Sequence, residues 1–503
     1  MEMILILPSV IAILSGAGLL CVSFGMHLKG NETHLAALNG RAAELLHRLV
    51  LGAMAISMVI ALFSATRMGM SLHLVKFVDG IELFFRVDKL SALFVVVTTI
   101  SWFLCGIYAF KYMEHEGEEI RYFGFYLLIY GILIALDFSG NLVTLYFFYE
   151  LMTVTSMPLV LHNGSREAKM AALKYLFYSM AGAYLALFGI FQLNFYTSSL
   201  TFTAGGTLSM NMVSGHVTIL LIAVFCTLLG FGTKAGMLPL HGWLPAAHPV
   251  APAPASAVLS SVITKGGVLA LIRVVYYIVG PDFIRGTWVQ YAWMTLALLT
   301  VFMGSMMAYM EKGFKKRLAY SSVSQISYIV FGLSVLSPVG LTGSLLHYVF
   351  HTCIKCALFL TAGIFIFHTG KTRVDEYAGI GKEMPITLWC YTFVSLALIG
   401  IPPTSGFISK WYLAQGALDA SVGAFRYIGP IVLLISALLT AGYLLPITLK
   451  GFLPGKDFAG EKKKEKMDVM VAVLLVFAIF AVLLGVLPNG LITYVADIAA
   501  SVV

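Results

Sequence analysis

Five ionisable side chains stand in the middle of long apolar runs of this sequence. They are Glu150, Lys234, Lys265, Lys355 and Lys410. A charge at the centre of a bilayer costs somewhere between about 2.5 and 17 kcal/mol, so each must be paired, hydrated or neutralised. Glu150 lies about ten residues from either end of its run, too deep for its short side chain to reach the membrane surface. These residue types favour proton exchange, and for Glu150 the alternative is a neutral, hydrogen-bonded carboxyl group.

Lys234 is flanked by Gly230, Gly232 and Gly236, with Pro239 five residues further on. The lysine is therefore expected beside a break in a helix rather than at a helix end, where its side chain could extend to water. Desolvation favours the neutral form of a lysine, and a nearby carboxylate restores the charged form. A movement of a carboxylate such as Glu150 could therefore switch Lys234 between the two states.

Lys265 also has small neighbours, and Lys410 follows a second proline-rich interruption. Together with Lys234 they could form a polar line through the membrane plane. The alternative for each of these lysines is a structural ion pair, because charged groups inside a membrane also pair for stability.

The residues His347, His351 and Lys355 recur every four positions. They therefore share one helical face, with a drift of only about 40° per step. Histidine titrates nearest neutral pH, which suits a link between two lysine sites. Cys353 and Cys356 offer a metal-binding alternative, but they project about 240° and 180° away from His347. A pair of packed core histidines is the other alternative.

Three further residues are candidates for proton uptake at the ends of such a path. His241 and His248 lie in the proline-rich segment PLHGWLPAAHPVAPAPASA, and they could either carry protons or bond to the backbone. Asp137 and Asn141 stand at the end of the fourth apolar run. Their pattern is more typical of a helix terminus than of a site.

Composition places these residues in a polytopic membrane protein. Of the 503 residues, 59% are hydrophobic and only 11% are charged, which excludes an ordinary soluble enzyme. About fourteen apolar runs are long enough to cross a bilayer. They are predicted near residues 3–24, 45–65, 89–110, 122–137, 141–161, 168–195, 216–247, 252–279, 289–310, 315–336, 341–367, 384–416, 427–449 and 468–488. The six cysteines all fall in apolar stretches and imply no disulfide framework.

The net charge of +8 comes from short connections between apolar runs, so the expected partner is the membrane rather than a nucleic acid. By the positive-inside rule the basic connections are cytoplasmic, which places both termini outside. Between the second and third runs, the alternating segment Ser71 to Val87 around Asp79-Gly80 predicts an outer β-hairpin. The segment Gly460 to Met467 is the most charged stretch, and it is interpreted as a solvated loop.

Two runs are interrupted in similar ways, at Gly230 to Pro245 and at Gly400 to Trp411. Inverted repeats with discontinuous helices place ion sites near the midplane of many transporters. We therefore predict two inverted repeats of about five helices each. The predicted division is 1–121 (three helices with the hairpin), 122–280 (first repeat), 281–450 (second repeat) and 451–503 (a cytoplasmic loop and helix fourteen).

The segment KAGMLPLHGWLPAAHPVAPAPASAVLSSVITKGG, with Glu150 upstream, resembles the signature of the antiporter-like subunits. That family comprises large membrane subunits of respiratory complex I, of membrane-bound hydrogenases and of multisubunit sodium/proton antiporters. The segments KRLAYSSVSQISY and HYVFHTCIKCALFLTAG support the resemblance, which covers the third to the thirteenth run. It implies a multi-pass protein of a prokaryotic cytoplasmic membrane, beside neighbouring antiporter-like subunits and other membrane subunits, carrying protons or sodium. The chain resembles an inner, shorter member.

The resemblance also assigns roles to individual residues. It implies that Glu150 and Lys234 interact in a first half-channel, that Lys265 is the central lysine, and that Lys410 ends a second half-channel. His347 and His351 would connect them, and His248 would lie near the cytoplasmic surface. A lysine at the position of Lys410, where some members have glutamate, does not settle which complex the chain serves.

The chain has no flavin, nicotinamide, iron–sulfur or haem motif, so it is expected to bind no cofactor and to do no redox chemistry alone. The resemblance places iron–sulfur clusters, and flavin or nickel–iron centres, in partner subunits. The expected function is proton translocation in a redox-driven complex. The alternatives are a subunit of a dedicated sodium/proton antiporter and a scaffold that has lost transport.

Overall fold

The computed structural model describes residues 2–28, 40–78, 81–455 and 465–503. In this part of the chain, twelve helices are long and apolar enough to cross a membrane. One further helix and one broken helix bring the crossings to fourteen, as the sequence predicts. The all-helical, polytopic fold class is therefore confirmed.

The first seven crossings are α1 (Leu7–Leu28), α2 (Gly40–Ala65), α3 (Lys89–Glu116), α4 (Glu119–Asp137), α5 (Leu142–Val160), α6 (Arg166–Tyr196) and α7 (Val217–Lys234). The next are α8 (Ala253–Val279), α9 (Trp288–Met310), α10 (Phe314–Ser334) and α11 (Pro338–Thr369). The last are α12a (Pro385–Ile399) with α12b (Ser405–Asp419), α13 (Phe425–Phe452) and α14 (Val469–Val486), followed by a helix α15 (Asn489–Val502). Short helical turns occupy Glu2–Leu5, Met210–Val213, Leu244–Val250, Pro281–Ile284, Val374–Tyr377 and Ile380–Glu383.

The predicted hairpin between α2 and α3 is present. Its strands β1 (Ser71–Val78) and β2 (Ile81–Arg86) pair antiparallel. The predicted turn at Asp79-Gly80 lies outside the described residues. The hairpin marks one face of the bundle, which we call the hairpin face; the other is the basic face.

Both predicted interruptions are present, and each includes a glycine with positive φ. After α7 ends at Lys234, the chain turns at Gly236 (φ +77°) and continues to the short helix Leu244–Val250. The predicted break within the span 216–247 is thus present. The helix α7, however, covers only 18 residues of that span, Val217–Lys234. Between α12a and α12b the chain turns at Gly400 (φ +92°). Glycine adopts this backbone conformation without the steric penalty that a Cβ brings.

The centre of the bundle is formed by α8 and α11. Every residue of α8 is buried, and α11 is buried over most of its length. In contrast, α1, α2 and α13 expose many large apolar side chains, such as Phe24, Leu45 and Leu438. Exposed apolar surface of this kind suits contact with lipid or with other membrane subunits. The central helices are therefore the ones that can enclose a polar path.

The C-terminal helix α15 was not predicted. It lies on the hairpin face, where Tyr494 donates a hydrogen bond to the carbonyl of Lys89 (2.9 Å) and Asp497 accepts one from Lys89 Nζ (3.3 Å). The N-terminal segment reaches the same face, since Ser64 at the end of α2 bonds to the carbonyl of Ile4. Most of the charged segment 460–467 lies outside the described residues. The division into repeats at residues 122, 281 and 451 stays a prediction.

Candidate functional site

Glu150 lies on α5 at the lateral surface of the bundle. Its neighbours Phe147 and Val154 on the same helix are exposed, and Glu150 itself is half-buried. Its Oε1 is buried and accepts no hydrogen bond within the described chain. A carboxyl group at membrane depth with an unused acceptor is an expensive arrangement. Glu150 is therefore available to interact with a group that moves.

Lys234 is completely buried at the C-terminal end of α7. Its ammonium group donates to the Tyr175 hydroxyl (2.7 Å) and the Ser179 hydroxyl (3.3 Å), both on α6. The ring of Tyr175 also lies 4.5 Å from Nζ, so the lysine has a cation–π contact. Glu150 acts on Lys234 through space, without a direct ion pair between them among the described contacts. The role of these two residues as an interacting pair therefore stays a prediction.

The Tyr175 hydroxyl also hydrogen-bonds to Ser156 on α5 (2.6 Å). Ser156 and Glu150 share this helix, six residues apart. A polar connection therefore runs from Lys234 back to the helix that carries Glu150.

Lys265 lies beside a π-helical turn of α8, Leu259–Ile263. Its Nζ donates to the carbonyl of Ser260 (2.5 Å). A π-turn frees backbone carbonyls from their usual helical partners, and such turns are frequent at functional sites. No side-chain carboxylate neutralises Lys265 among its described hydrogen bonds and ion pairs.

Helix α8 approaches α7 closely at Gly267. A Cβ at this position would stand 2.7 Å from the carbonyl oxygen of Phe231 and 3.0 Å from Cβ of Lys234. Only glycine allows this separation. Gly267 therefore brings the helices of Lys234 and Lys265 into backbone contact.

The predicted face of α11 is present. The rings of His347 and His351 stack with centroids 5.8 Å apart, and both are buried. His347 Nδ1 bonds to the hydroxyl of Ser409 (2.9 Å), the residue before Lys410. His347 Nε2 and both ring nitrogens of His351 have no hydrogen-bond partner within the described chain. Buried polar atoms are nearly always bonded, so three unused nitrogens together indicate a site for water or exchangeable protons.

Lys355 continues this face by one further turn. Its Nζ donates to the hydroxyl of Ser321 (2.8 Å) and the carbonyl of Leu318 (3.1 Å) on α10. The charge of Lys265 acts on both Lys355 and His351. Lys265 on α8 is therefore coupled electrostatically to two residues of α11.

Lys410 reaches back across the second break. Its Nζ donates to the carbonyls of Leu398 (2.6 Å) and Ile399 (2.8 Å), at the end of α12a. The last carbonyls of a helix are free and carry partial negative charge, which stabilises a cation. The Tyr328 ring lies 5.2 Å from Nζ and also stacks on His347, at a centroid distance of 5.4 Å. Tyr328 thus lies between the histidine face and Lys410.

The two histidines of the first interruption occupy different environments. His248 is fully buried and stacks on Phe359 of α11 (4.7 Å between centroids), with neither ring nitrogen bonded within the described chain. His241 is half-buried, and its Nδ1 is unbonded. The charges of Lys265 and Lys355 act on His248, which connects it electrostatically to the central lysines. The charge that acts on His241 is instead that of Lys174 on α6.

Asp137 lies apart from the lysine series, at the C-terminal end of α4. It is buried with Oδ2 unbonded, and it interacts with Thr98 and with the charge of Arg273. Arg273, buried in α8, makes two hydrogen bonds to Asp88, at 2.6 and 2.9 Å. Burial alone would raise the pKa of Asp88, but the charge and hydrogen bonds of Arg273 hold it below its usual range. Sequence reasoning missed this ion pair because its members are separated by 185 positions.

Cys356 lies 3.0 Å from the hydroxyl of Ser261 on α8. In the described part of the chain, no three His, Cys, Asp or Glu side chains come together as a metal site would require.

Sequence reasoning found the charged groups and missed their hydroxyl partners. Tyr175, Ser179, Ser321 and Ser409 hydrogen-bond to the buried lysines or to His347 from other helices, and the ring of Tyr328 contacts both Lys410 and His347. Serine and tyrosine inside apolar runs are the signal, but the sequence does not tell which helix each one faces.

The fold and the site together define a multi-pass membrane protein with two discontinuous helices and a buried series of ionisable residues. The family model described as "NADH:quinone oxidoreductase/Mrp antiporter, TM" matches residues 139–440. That described as "NADH-Ubiquinone oxidoreductase (complex I), chain 5 N-terminus" matches residues 79–123. The chain belongs to this family of antiporter-like membrane subunits.

Individual relatives come from several kinds of complex. The chain is 33% identical to an NADH-quinone oxidoreductase subunit of Desulforudis audaxviator, covering 84% of this chain and 85% of the relative. It is 31% identical to hydrogenase-4 component B of Escherichia coli, covering 83% of this chain and 64% of the relative. It is 29% identical to an Na(+)/H(+) antiporter subunit of Bacillus subtilis, covering 73% of this chain and 72% of the relative.

The fold is shared with a solved structure of the membrane-bound sulfane sulfur reductase, an archaeal respiratory membrane complex. The TM-score is 0.82 at 20% identity, covering 98% of this chain and 97% of the other. The members of this fold occur within multisubunit membrane complexes, which supports the expectation of membrane partner subunits.

Proposed function

We propose that this chain translocates protons within a redox-driven membrane complex, through two half-channels joined by a buried relay. The relay comprises Glu150, Lys234, Lys265, His351, His347, Lys355 and Lys410. The family membership supports the class of complex, and the arrangement of the charged residues supports the relay.

One observation carries the proposal: three imidazole nitrogens of His347 and His351, unbonded within the described chain, lie between lysines on α8, α11 and α12b. A structural histidine would use at least one ring nitrogen in a hydrogen bond; His347 does so through Ser409, whereas His351 uses neither within the described chain. Centroids 5.8 Å apart leave the rings too far apart for a strong direct hydrogen bond, so water molecules would complete the connection.

The first step is the switch between Glu150 and Lys234. The lysine is held by Tyr175 and Ser179 in a fully buried position, where the neutral form gains from desolvation and the charged form gains from the carboxylate. A rearrangement that brings Glu150 closer favours the charged lysine. A rearrangement that moves Glu150 away favours release of the proton towards Lys265.

The second step runs from Lys265 to Lys410. The proton passes to His351 and then to His347. His347 contacts Ser409, which is followed in the sequence by Lys410. The carbonyls at the end of α12a hold the arriving charge on Lys410. Lys355 is a side position on this route, and His248 and His241 supply protons to the central lysines. Asp137 remains a candidate for proton uptake at the hairpin face.

The proposal also assigns roles to partner subunits of the complex. Glu150 is half-buried at the lateral surface, and a carboxyl group is too costly to leave against lipid. A neighbouring antiporter-like subunit would cover it and could transmit the movement. The driving reaction would occur in other subunits that carry iron–sulfur clusters, with flavin or nickel–iron centres. The positive-inside rule places the basic face in the cytoplasm and both termini outside.

Two other functions give different outcomes. A subunit of a dedicated sodium/proton antiporter would be driven by ion gradients alone, and the similarity to the Bacillus subtilis antiporter protein favours this second candidate. A scaffold would keep the fold without transport, but it has no need for buried lysines. The subunit list of the purified complex separates the first two, because only a redox-driven complex contains redox subunits.

The test of transport is a Lys234→Ala variant of the complete complex in proteoliposomes. We expect that the complex assembles and that proton uptake through this chain is lost, so that fewer protons are taken up per turnover of the driving reaction. The matched control is Lys111→Ala, since Lys111 is exposed on the basic face and pairs with Glu114 nearby. Full proton pumping by Lys234→Ala would refute the relay.

A further inference from the structure

We infer that the second half of the bundle has its own cytoplasmic proton connection, which runs from a polar pocket through the hydroxyls of Tyr443 and Ser321 to Lys355. This inference rests on the proposed proton translocation and adds a delivery route and two positioning residues to it.

The outer end of the route is a pocket on the basic face between α9, α10 and α13. Its volume is about 390 Å³. Its lining includes Lys312, Arg317, Asp375, Ile447 and Lys450. Asp375 is the carboxylate among these lining residues, and it pairs with Arg373 (3.1 Å). The pocket can therefore hold several water molecules beside a proton acceptor.

Two lining residues of the pocket stand one helical turn along the chain from Tyr443 and Ser321. Arg317 is four residues before Ser321 on α10, and Ile447 is four residues after Tyr443 on α13. One turn of an α-helix rises about 5.4 Å. The Arg317 guanidinium bonds to the carbonyl of Tyr443 (2.8 Å), which ties the two helices together at this level. Water molecules would have to span the interval between the pocket and the Tyr443 hydroxyl.

The inner end is a continuous hydrogen-bonded chain. Tyr443 donates its hydroxyl to Ser321 (2.7 Å), and Ser321 lies 2.8 Å from Lys355 Nζ. Tyr443 is almost completely buried, and Ser321 and Lys355 are completely buried. These three side chains come from α13, α10 and α11. The chain thus crosses three helices to reach a relay lysine.

In the charged state of Lys355, Ser321 accepts hydrogen bonds from both Lys355 and Tyr443, so uptake along this chain starts from the neutral state of Lys355. When Lys355 is neutral, its amine accepts the Ser321 proton while Ser321 accepts the Tyr443 proton. Tyr443 then takes a proton from water in the pocket. One proton leaves the pocket, one arrives on Lys355, and both hydroxyls are restored.

A purely structural role for the same hydroxyls makes a different prediction. Polar side chains commonly hold membrane helices together by hydrogen bonds. Nearby Ser305 and Ser436 form such a contact, hydroxyl to hydroxyl, between α9 and α13 (2.5 Å). The Tyr443 and Ser321 pair differs because it ends on an ionisable group and begins one turn below a polar pocket.

The test compares Tyr443→Phe with Tyr391→Phe in the complete complex, reconstituted in proteoliposomes and supplied with its driving reaction. Tyr391 on α12a is a matched control. Its buried hydroxyl donates to the carbonyl of Leu444 (3.0 Å) on α13, the helix that also carries Tyr443. We expect Tyr443→Phe to lower proton uptake to below half of the wild-type rate, as for loss of a proton donor on one delivery route, and Tyr391→Phe to leave it near wild type. Ser321→Ala should cause a similar loss, and the double variant should lose no more than either single one.

Uptake above half of the wild-type rate in Tyr443→Phe would overturn the inference, as would an equal loss in Tyr391→Phe or additive losses in the double variant. If Tyr443→Phe does not assemble, Ser321→Ala alone carries the same expectation and the same refutation. A parallel Lys234→Ala sample separates the two proposals. If Lys234→Ala loses proton uptake while Tyr443→Phe keeps it, only the connection through Tyr443 is refuted. If Lys234→Ala retains proton uptake, the proton relay itself is refuted.

Discussion

Replacing Tyr175 by phenylalanine should shift the pH dependence of proton pumping. The Tyr175 hydroxyl accepts the 2.7 Å hydrogen bond from Lys234, and both side chains are completely buried. The substitution removes only this oxygen and keeps the aromatic ring that contacts the ammonium group. It therefore weakens the charged form of the lysine without removing the lysine.

The size of the shift follows from the contacts that remain. A hydrogen bond to a charged group contributes about 1.5–3 kcal/mol, which corresponds to about one to two pH units. Ser179 still accepts a bond from Lys234 (3.3 Å), and the cation–π contact at 4.5 Å remains. These contacts compensate in part, so we expect the midpoint of the alkaline limb of pumping to move down by about one unit.

The assay is the initial rate of proton uptake into proteoliposomes between pH 6 and pH 9.5, an interval of about 3.5 units chosen to exceed the expected shift. Tyr126→Phe is the matched control, because its buried hydroxyl donates to the carbonyl of Trp102 rather than to a relay residue. A lower rate with an unchanged midpoint, or an equal shift in the control, would show that Tyr175 does not stabilise the charge on Lys234.

Three further changes test the scaffold. Asp88→Asn leaves the buried Arg273 guanidinium without its carboxylate, so we expect a loss of about 3 kcal/mol, measured as a lower thermal unfolding temperature; an unchanged temperature would contradict a stabilising pair. Gly267→Ala brings a Cβ to 2.7 Å from the carbonyl oxygen of Phe231, so we expect less assembled complex. Gly18→Ala is the control: its Cβ would meet no atom within 4 Å, and the amount of assembled complex should not change. Burial lowers the pKa of His162, between α5 and α6, from 6.5 to about 4, so the unfolded state binds more protons than the folded state between these two pH values. We therefore expect the loop that carries His162 to be stable above pH 6.5 and to become sensitive to protease as the pH falls towards 4. Unchanged cleavage over this range would contradict the expectation.

Hydropathy and helix periodicity were sufficient to predict the fourteen crossings. An apolar run of about 20 residues has few alternatives to a membrane helix. The alternation around residues 71–87 likewise predicted the hairpin, because a strand period of two is distinct from a helical period. In contrast, α15 was missed because its 14 residues are too few to cross a membrane and its apolar residues lie on one face.

The breaks in α7 and α12 were predictable from glycine and proline, since these residues disturb helical geometry at known positions. The ionisable residues were predictable from their cost in an apolar run. Their partners were not, because Tyr175, Ser321 and Tyr443 are ordinary residues in their own helices. Only the packing of α6, α10 and α13 brings them to Lys234 and Lys355.

The separation of Glu150 from Lys234 was also beyond the sequence. The family pattern implies an interacting pair, whereas Lys234 bonds to two hydroxyls and Glu150 lies at the lateral surface. Glu150 lies at a surface that the proposal assigns to a neighbouring subunit, which would then set the position of the carboxylate. This is the part of the proposed switch that depends on the assembly.

The central claim is that protons cross this chain through its buried lysines, and Lys265 is the lysine between the two halves of the path. The most direct measurement is proton uptake per turnover of the driving reaction in proteoliposomes that contain the complex with Lys265→Met, a change that keeps the length of the side chain and removes its charge. The account predicts that the driving reaction retains measurable turnover while proton uptake through this chain is lost. An unchanged ratio of protons to turnovers would contradict it.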